Sequence, residues 1–216
     1  MSAILINRSV KTRKNVDSLI DNTVEISPVS YGLPLSFSCE PESSLCTEGG
    51  FRVTSAGFTV VYTDGSCLSN GSADAKAAIG VYFGPCSPHN ISMPLLETDR
   101  KSNNAAEIVA STEAFKLCKK YNRMNVEIRT DSKFLIGCVL QHLSIWKTNG
   151  WLRTNGKPVS NKVELEELDE ILKGFTVQWV YVPGHSGEVG NNYADFLARY
   201  STFKLMRIND PSYFHK

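Results

Sequence analysis

The chain has 216 residues, of which 42% are hydrophobic and 10% aromatic, and its net charge is +1 at pH 7. This length supplies one full hydrophobic core and hardly a second large one, so we expect one domain with a smaller addition. No apolar run is longer than a strand and no apolar core follows Met1, so we expect neither a membrane span nor a secretory signal peptide.

The six cysteines show no C-x-x-C pair and no His/Cys cluster with zinc-ligand spacing. A chain of this length does not need disulfides to hold a core together. We therefore expect reduced thiols and no zinc site.

Residues 1–57 show neither helical nor strand periodicity, and they predict a mostly disordered extension. Residues 1–16 hold four basic residues and no acid, whereas residues 17–57 hold one basic residue and six acids. The basic opening fits either a mitochondrial presequence or a flexible tail. We expect an intracellular protein of the nucleus, cytoplasm or mitochondrion.

A packed α/β domain is predicted over residues 58–200, followed by a tail over residues 201–216. Apolar and β-branched runs predict strands over residues 58–64, 77–83, 91–97, 125–130 and 176–182. Helical spacing and capping signals predict helices over residues 103–121, from Asp131 to Val139, through Leu165, Leu168 and Leu172, and after residue 187. Strands and helices in this order favour a mixed sheet covered by helices.

Four acids are candidates for a site: Asp64, Glu107, Asp131 and Asp195. A right-handed crossover would set the strand 125–130 parallel to the strand 58–64, so that Asp64 and Asp131 emerge side by side. Each acid alone has an ordinary alternative. Asp64-Gly65 is a common turn, Asp131 is a good helix cap, and Glu107 and Asp195 lie early in helices.

Four carboxylates that converge raise one another's pKa unless a cation is present. Ligand sets made only of oxygen select hard cations such as Mg²⁺ or Mn²⁺. Two such ions suit hydrolysis of a phosphodiester. The acids therefore predict a metal-dependent phosphodiester hydrolase.

Residues 58 to about 200 resemble ribonuclease H of the type 1 branch. The resemblance rests on Tyr62-Thr63-Asp64-Gly65, Asn103-Asn104-Ala105-Ala106-Glu107, Thr130-Asp131-Ser132, Trp146-Lys147-Thr148-Asn149-Gly150-Trp151, Val182-Pro183-Gly184-His185-Ser186-Gly187, and Gly190-Asn191 through Ala194-Asp195. It implies a five-stranded mixed sheet flanked by helices. It also implies a Mg²⁺-dependent endonuclease, with Mn²⁺ as a substitute, that cuts the RNA strand of an RNA/DNA hybrid and leaves 5′-phosphate ends.

The same resemblance implies roles for the site residues. The four acids would bind two metal ions, and Glu107 would also contact a ribose 2′-hydroxyl. His185 would assist proton transfer or product release, although a histidine in this loop is also an ordinary turn residue. The residues implied for the RNA strand are Asn70, Asn103 and Asn104. Those implied for the DNA strand are Arg100, Ser102, Trp146, Asn149, Thr154 and Asn161.

The role of the Trp-rich segment stays open at this stage. Trp146 and Trp151 fit a DNA groove or the hydrophobic core equally well. His142 stands where vertebrate members carry a groove tryptophan.

Two other classes of protein compete with this interpretation. A sugar-kinase or actin-like ATPase needs a second lobe that this chain is too short to supply. A non-catalytic hybrid-binding protein would not need its four acids. We expect a monomer that binds hybrid duplex and no membrane.

Overall fold

The computed structural model describes residues 48–96, 99–184 and 187–208. One mixed sheet forms the centre of the domain, and its strands run in the order β4-β3-β2-β5-β6, with the short β1 paired to β2. The strands are β1 Arg52–Val53, β2 Thr59–Leu68, β3 Lys76–Tyr82, β4 Ile91–Pro94, β5 Asn125–Thr130 and β6 Thr176–Tyr181. The pairs β2–β3 and β3–β4 are antiparallel, whereas β2–β5 and β5–β6 are parallel. The predicted parallel crossover is confirmed.

Helices cover both faces of this sheet, as predicted. They are α1 Asn103–Lys120, α2 Lys133–Gly137, α3 Leu143–Thr148, α4 Lys162–Leu172 and α5 Val189–Ile208. A π-helical turn, Cys138–His142, joins α2 to α3. On one face, Ile108 of α1 and Leu165 of α4 pack in one core with Val61 of β2. On the other face, α5 packs through Ala194 and Leu197 against β2 and β3.

The sequence predicted that the first long strand ends at Asp64-Gly65. In the structure this strand, β2, continues past that point. β2 continues to Leu68 because residues 65–68 pair with residues 76–79 of β3 in an antiparallel ladder. Cross-strand pairing therefore overrides the local turn preference of Asp-Gly. As a result, Asp64 lies within a strand and not on a loop.

The predicted domain boundaries are too narrow at both ends. Phe51 is 1% exposed and packs against Phe83, His89 and Tyr121, with ring centroids 5.2, 4.3 and 5.4 Å away. The ordered domain therefore starts before residue 58. At the other end, α5 continues to Ile208 and buries Thr202, so a tail does not begin at residue 201.

The proposed extension over residues 1–47, with its possible targeting role, lies outside the described residues, as does the chain beyond residue 208. Cys67, Cys118 and Cys138 are free thiols, as expected. Cys86 is disulfide-bonded, so the expectation of reduced thiols is wrong at that position. No helix in the described part of the chain is both long and apolar enough to cross a membrane.

We expect Phe51→Leu to lower the free energy of unfolding by about 1–2 kcal/mol, because leucine stays apolar but loses the three ring contacts. Denaturant unfolding monitored by circular dichroism measures this loss. Phe134→Leu is the matched control, since Phe134 is 38% exposed. If the two variants lose the same stability, Phe51 is not part of the core.

Candidate active site

The site is built where the parallel strands β2 and β5 lie side by side. Tyr62 of β2 pairs with Arg129 of β5, and the same register continued by two residues sets Asp64 level with Asp131. Asp64 is 7% exposed, and Asp131, directly after β5, is half-buried. The topology therefore brings together two acids that are far apart in the sequence.

Gly65 lets the helix that carries Glu107 close onto β2. A Cβ at Gly65 would clash with the backbone nitrogen of Glu107 and with Ala106, so only glycine permits this contact. Glu107 is held at 4% exposure on the side of α1 that faces the sheet. The close approach of α1 thus delivers the third acid.

Gly80 lets α5 approach the sheet closely, as Gly65 does for α1. This glycine is the cross-strand partner of Asp64, and a Cβ there would clash with the backbone carbonyl oxygen of Ala194. Ala194 immediately precedes Asp195. Two glycines, one beside Asp64 in β2 and one opposite it in β3, therefore allow helices bearing acids to approach the centre of the sheet.

Three of the four predicted acids form a tight set. One carboxylate oxygen from each of Asp64, Glu107 and Asp131 lies within 4.8 Å of the others. Asp195 is outside this set but lines the same cavity of about 320 Å³, and its Oδ2 lies 3.5 Å from Nη1 of Arg199. All four acids thus face one cavity, with three of them close enough to share a small cation.

The electrostatics of the set are unfavourable without a cation. Burial, and then the charges of Asp131 and Asp195, raise the pKa of the Asp64 carboxyl to about 7. Burial, and then the charges of Asp64 and Asp131, raise the pKa of Glu107 well above its ordinary value. The Oε2 atom of Glu107 is buried with no hydrogen-bond partner. Such an atom is costly in a folded protein unless a ligand uses it.

The ordinary alternatives for these acids fit the structure poorly. Ser132, and not Asp131, caps α2, since its hydroxyl accepts a hydrogen bond from the Leu135 backbone N–H at 3.2 Å. Neither Glu107 nor Asp195 lies in the first turn of its helix, where the helix dipole favours acids most. Convergence on a site remains the better explanation of their positions.

Asn191 is a site residue that sequence reasoning did not assign. It is 2% exposed, and its Nδ2 donates a hydrogen bond to Oδ2 of Asp131 at 3.1 Å. Its Oδ1 atom is buried and, like Oε2 of Glu107, has no hydrogen-bond partner. Asn191 precedes Asp195 by four residues on α5, and this helical spacing, together with its place in the matching stretch Gly190-Asn191 through Ala194-Asp195, could have placed both on the same face.

The residues proposed for the RNA strand lie near the cavity or at an exposed turn. Asn103 lines the cavity, and Asn104 is exposed beside it at the start of α1. Asn70 is exposed in the turn after β2. Their contacts with RNA stay predictions.

The residues proposed for a DNA phosphate differ in burial and in their local contacts. The Nη1 atom of Arg100 donates to the Ser160 carbonyl at 3.1 Å, which sets it beside Asn161. Asn161 is buried at the start of α4. Ser102 caps α1, since its hydroxyl accepts from the Ala105 backbone N–H.

The proposed DNA groove is a short stack of rings followed by a hairpin. Trp146 is half-buried, and its ring centroid lies 5.2 Å from that of His142 and 6.3 Å from that of Trp151. Trp151 is buried in the core, whereas Asn149 is exposed at the end of α3 and Thr154 is exposed in the hairpin that follows. The sequence left groove and core open for both tryptophans, and the structure buries Trp151 more deeply than Trp146. His185 lies outside the described residues.

The sheet order and the acids gathered at its centre define an α/β domain with a cluster of acids in one cavity. A family model described as RNase H matches residues 57–202. Ribonuclease H1 of Rattus norvegicus is 46% identical over 140 residues, which cover 65% of this chain and 48% of that protein. Ribonuclease H of a Cyanothece species is 35% identical over 139 residues, which cover 64% of this chain and 85% of that protein.

The structure of the foamy viral protease-reverse transcriptase in complex with RNA/DNA hybrid is also similar, with a TM-score of 0.54 and 28% identity. The match covers 67% of this chain and 20% of that one. The chain belongs to the RNase H family. It spans about half the length of the rat relative.

Proposed function

We propose that this chain is an endonuclease that hydrolyses the RNA strand of RNA/DNA hybrids and requires a divalent metal. The observation that carries the proposal is the set of three carboxylates within 4.8 Å of one another, with an unpartnered buried oxygen on Glu107. A cation would offset the burial and the repulsion that together raise the pKa of Asp64, and it would give the Glu107 oxygen a partner. The match to the RNase H family supports the choice of substrate.

The donor set fits Mg²⁺, with Mn²⁺ as the substitute, because the ligand atoms are carboxylate oxygens. Asp64, Glu107 and Asp131 would hold one ion, and Asp64 with Asp195 would hold a second. When bound, such ions lower the pKa of water and neutralise charge on a phosphodiester. His185 is kept as a proposed aid to proton transfer or product release.

The protein's own residues would position the scissile phosphate and exclude other substrates. Asn191 fixes the Asp131 carboxylate through the 3.1 Å hydrogen bond, so that this ligand does not need to be ordered on binding. Asn103 at the cavity and Asn104 beside it would read the RNA strand together with Glu107, since a 2′-hydroxyl is what distinguishes RNA from DNA.

The partner strand would lie across the exposed part of the His142–Trp146 ring stack and the Arg100 region. Contacts of this kind fix the register of a duplex without reading its bases, so we expect little sequence preference. The whole arrangement needs one copy of the chain, and we propose a monomer that acts inside the cell.

We expect cleavage of labelled RNA when it is paired with DNA, and none when it is paired with RNA or single-stranded. The measurement is a denaturing gel with each substrate in Mg²⁺, in Mn²⁺ and in excess chelator, with the product ends mapped to 5′-phosphate and 3′-hydroxyl. Equal cleavage of RNA/RNA, or activity that survives the chelator, would contradict the proposal. Tight binding of hybrid without any cleavage would favour the non-catalytic hybrid-binding alternative.

A further inference from the structure

The cavity lining includes two large apolar side chains that the acids and their proposed ions do not explain. Leu68, the last residue of β2, and Phe203 of α5 both line the cavity that contains Asp64 and Asp195. Phe203 is 40% exposed. We call Leu68 and Phe203 the apolar shelf.

Phe203 lies on the same face of α5 as Asp195. Asp195, Arg199 and Phe203 follow one another at intervals of four residues on α5, so their side chains form one row. All three line the cavity, and Arg199 is the cation among its described lining residues. The buried side of α5 is formed by other residues, among them Ala194 and Leu197. Core packing therefore does not account for the position of Phe203.

The order of groups along this row matches the chemistry of a nucleic-acid strand. Acids suit a metal-bridged phosphate, a guanidinium suits the next phosphate, and an aromatic ring suits the apolar face of a sugar or base. Asp195 and Phe203 are eight residues apart, which is about 12 Å along a helix. A ring at that distance would meet the strand within a few nucleotides of the reacting phosphodiester.

We propose that the apolar shelf binds the sugar and base of a nucleotide of the RNA strand on one side of the cleavage position. The inference rests on the proposed function, and it names a substrate contact made by Leu68 and Phe203. Every base has an apolar face, so a shelf of this kind holds the strand without selecting a sequence. Its contribution is to affinity and register, and not to the chemical step.

The test compares the parent with Phe203→Ala and with Leu68→Ala in the full chain, using a labelled RNA/DNA hybrid in Mg²⁺. For Phe203→Ala we expect kcat/KM to fall about tenfold, mainly through a higher KM, because the lost contact exists before and during reaction. Phe203→Tyr keeps the ring and should stay close to the parent. Phe196→Ala is the matched control, since Phe196 is also on α5 but its ring packs against Tyr200 and does not line the cavity.

A series of hybrids locates the contact. The RNA strand is shortened stepwise from its 5′ end or its 3′ end around one fixed cleavage position. We expect the difference between the parent and Phe203→Ala to disappear when the strand is shortened from one end and to persist when it is shortened from the other. A difference that is the same on every substrate, or a loss shared by Phe196→Ala, would overturn the shelf and indicate a general change in α5.

Failure of the shelf is separable from failure of the proposed function. If the parent cleaves hybrid and Phe203→Ala does so equally well, only the shelf is wrong. If the parent cleaves no hybrid, the proposed activity is wrong, and fluorescence anisotropy of labelled hybrid in chelator still tests the contact. In that case unchanged affinity in Phe203→Ala would overturn the shelf, and weaker affinity would support it.

Discussion

Asp131→Asn should reduce hybrid cleavage by about a hundred- to a thousandfold while leaving the fold intact or more stable. The change removes a negative charge from a cluster in which charges raise the pKa of both Asp64 and Glu107. Asparagine has the same shape as aspartate and still offers an oxygen to the Nδ2 of Asn191. Loss of activity would then come from a lost metal ligand and not from lost structure.

Melting temperature and cleavage, each with and without Mg²⁺, separate this explanation from a structural one. A ligand stabilises only the state that binds it, so added Mg²⁺ should raise the melting temperature of the parent more than that of the variant. A helix cap would be replaced well by asparagine, but Ser132 already has that role in α2. An active Asp131→Asn protein with the parent's response to Mg²⁺ would refute the proposed site.

The metal-free protein should lose stability as the pH rises from about 4 to above 7. The carboxyl of Asp64 has an ordinary pKa of 3.8, and burial with the neighbouring charges raises it to about 7 in the folded state. Between these values the folded protein holds a proton that the unfolded chain has released, so the free energy of unfolding falls with rising pH. Below pH 4 both states are protonated and the penalty is absent.

Asp64→Asn removes this carboxyl, and its unfolding free energy should therefore depend less steeply on pH than that of the parent. The measurement is denaturant unfolding from pH 4 to pH 8 in chelator. Asp74→Asn serves as the control, since Asp74 is exposed in the turn between β2 and β3. Mg²⁺ should flatten the pH dependence of the parent, because the cation offsets the repulsion. Identical slopes for the parent and Asp64→Asn would contradict the account of the cluster.

Local sequence patterns predicted the elements with strong periodicity well. The strand over residues 125–130 has the predicted bounds, and α1 ends one residue earlier than predicted. The errors occur where partners far along the chain decide the structure. Asp64-Gly65 has turn propensity but pairs with β3, and Phe51 stands in a polar stretch but packs against Phe83 and Tyr121.

In the candidate site, too, local patterns predicted some features, and contacts between distant segments decided the others. Asp64, Glu107 and Asp131 could be predicted because the chemistry of a metal site demands acids, and the alternation of strands and helices says where they meet. The contact between Asn191 and Asp131 could not be predicted. This contact depends on how α5 is rotated about its own axis when the helix packs on the sheet. The part played by Gly80 depends on its pairing opposite Asp64 and on the close approach of α5, a contact between segments far apart in the sequence.

The two glycines beside Asp64 change how an inactive relative of this protein would be recognised. Gly65 and Gly80 carry no chemistry, yet a single methyl group at either position would push apart a helix and the strand beneath it. A substitution at either glycine would therefore disturb the site while Asp64, Glu107, Asp131 and Asp195 stay unchanged. Acids alone are then an incomplete criterion for an active member, and the two glycine positions have to be examined with them.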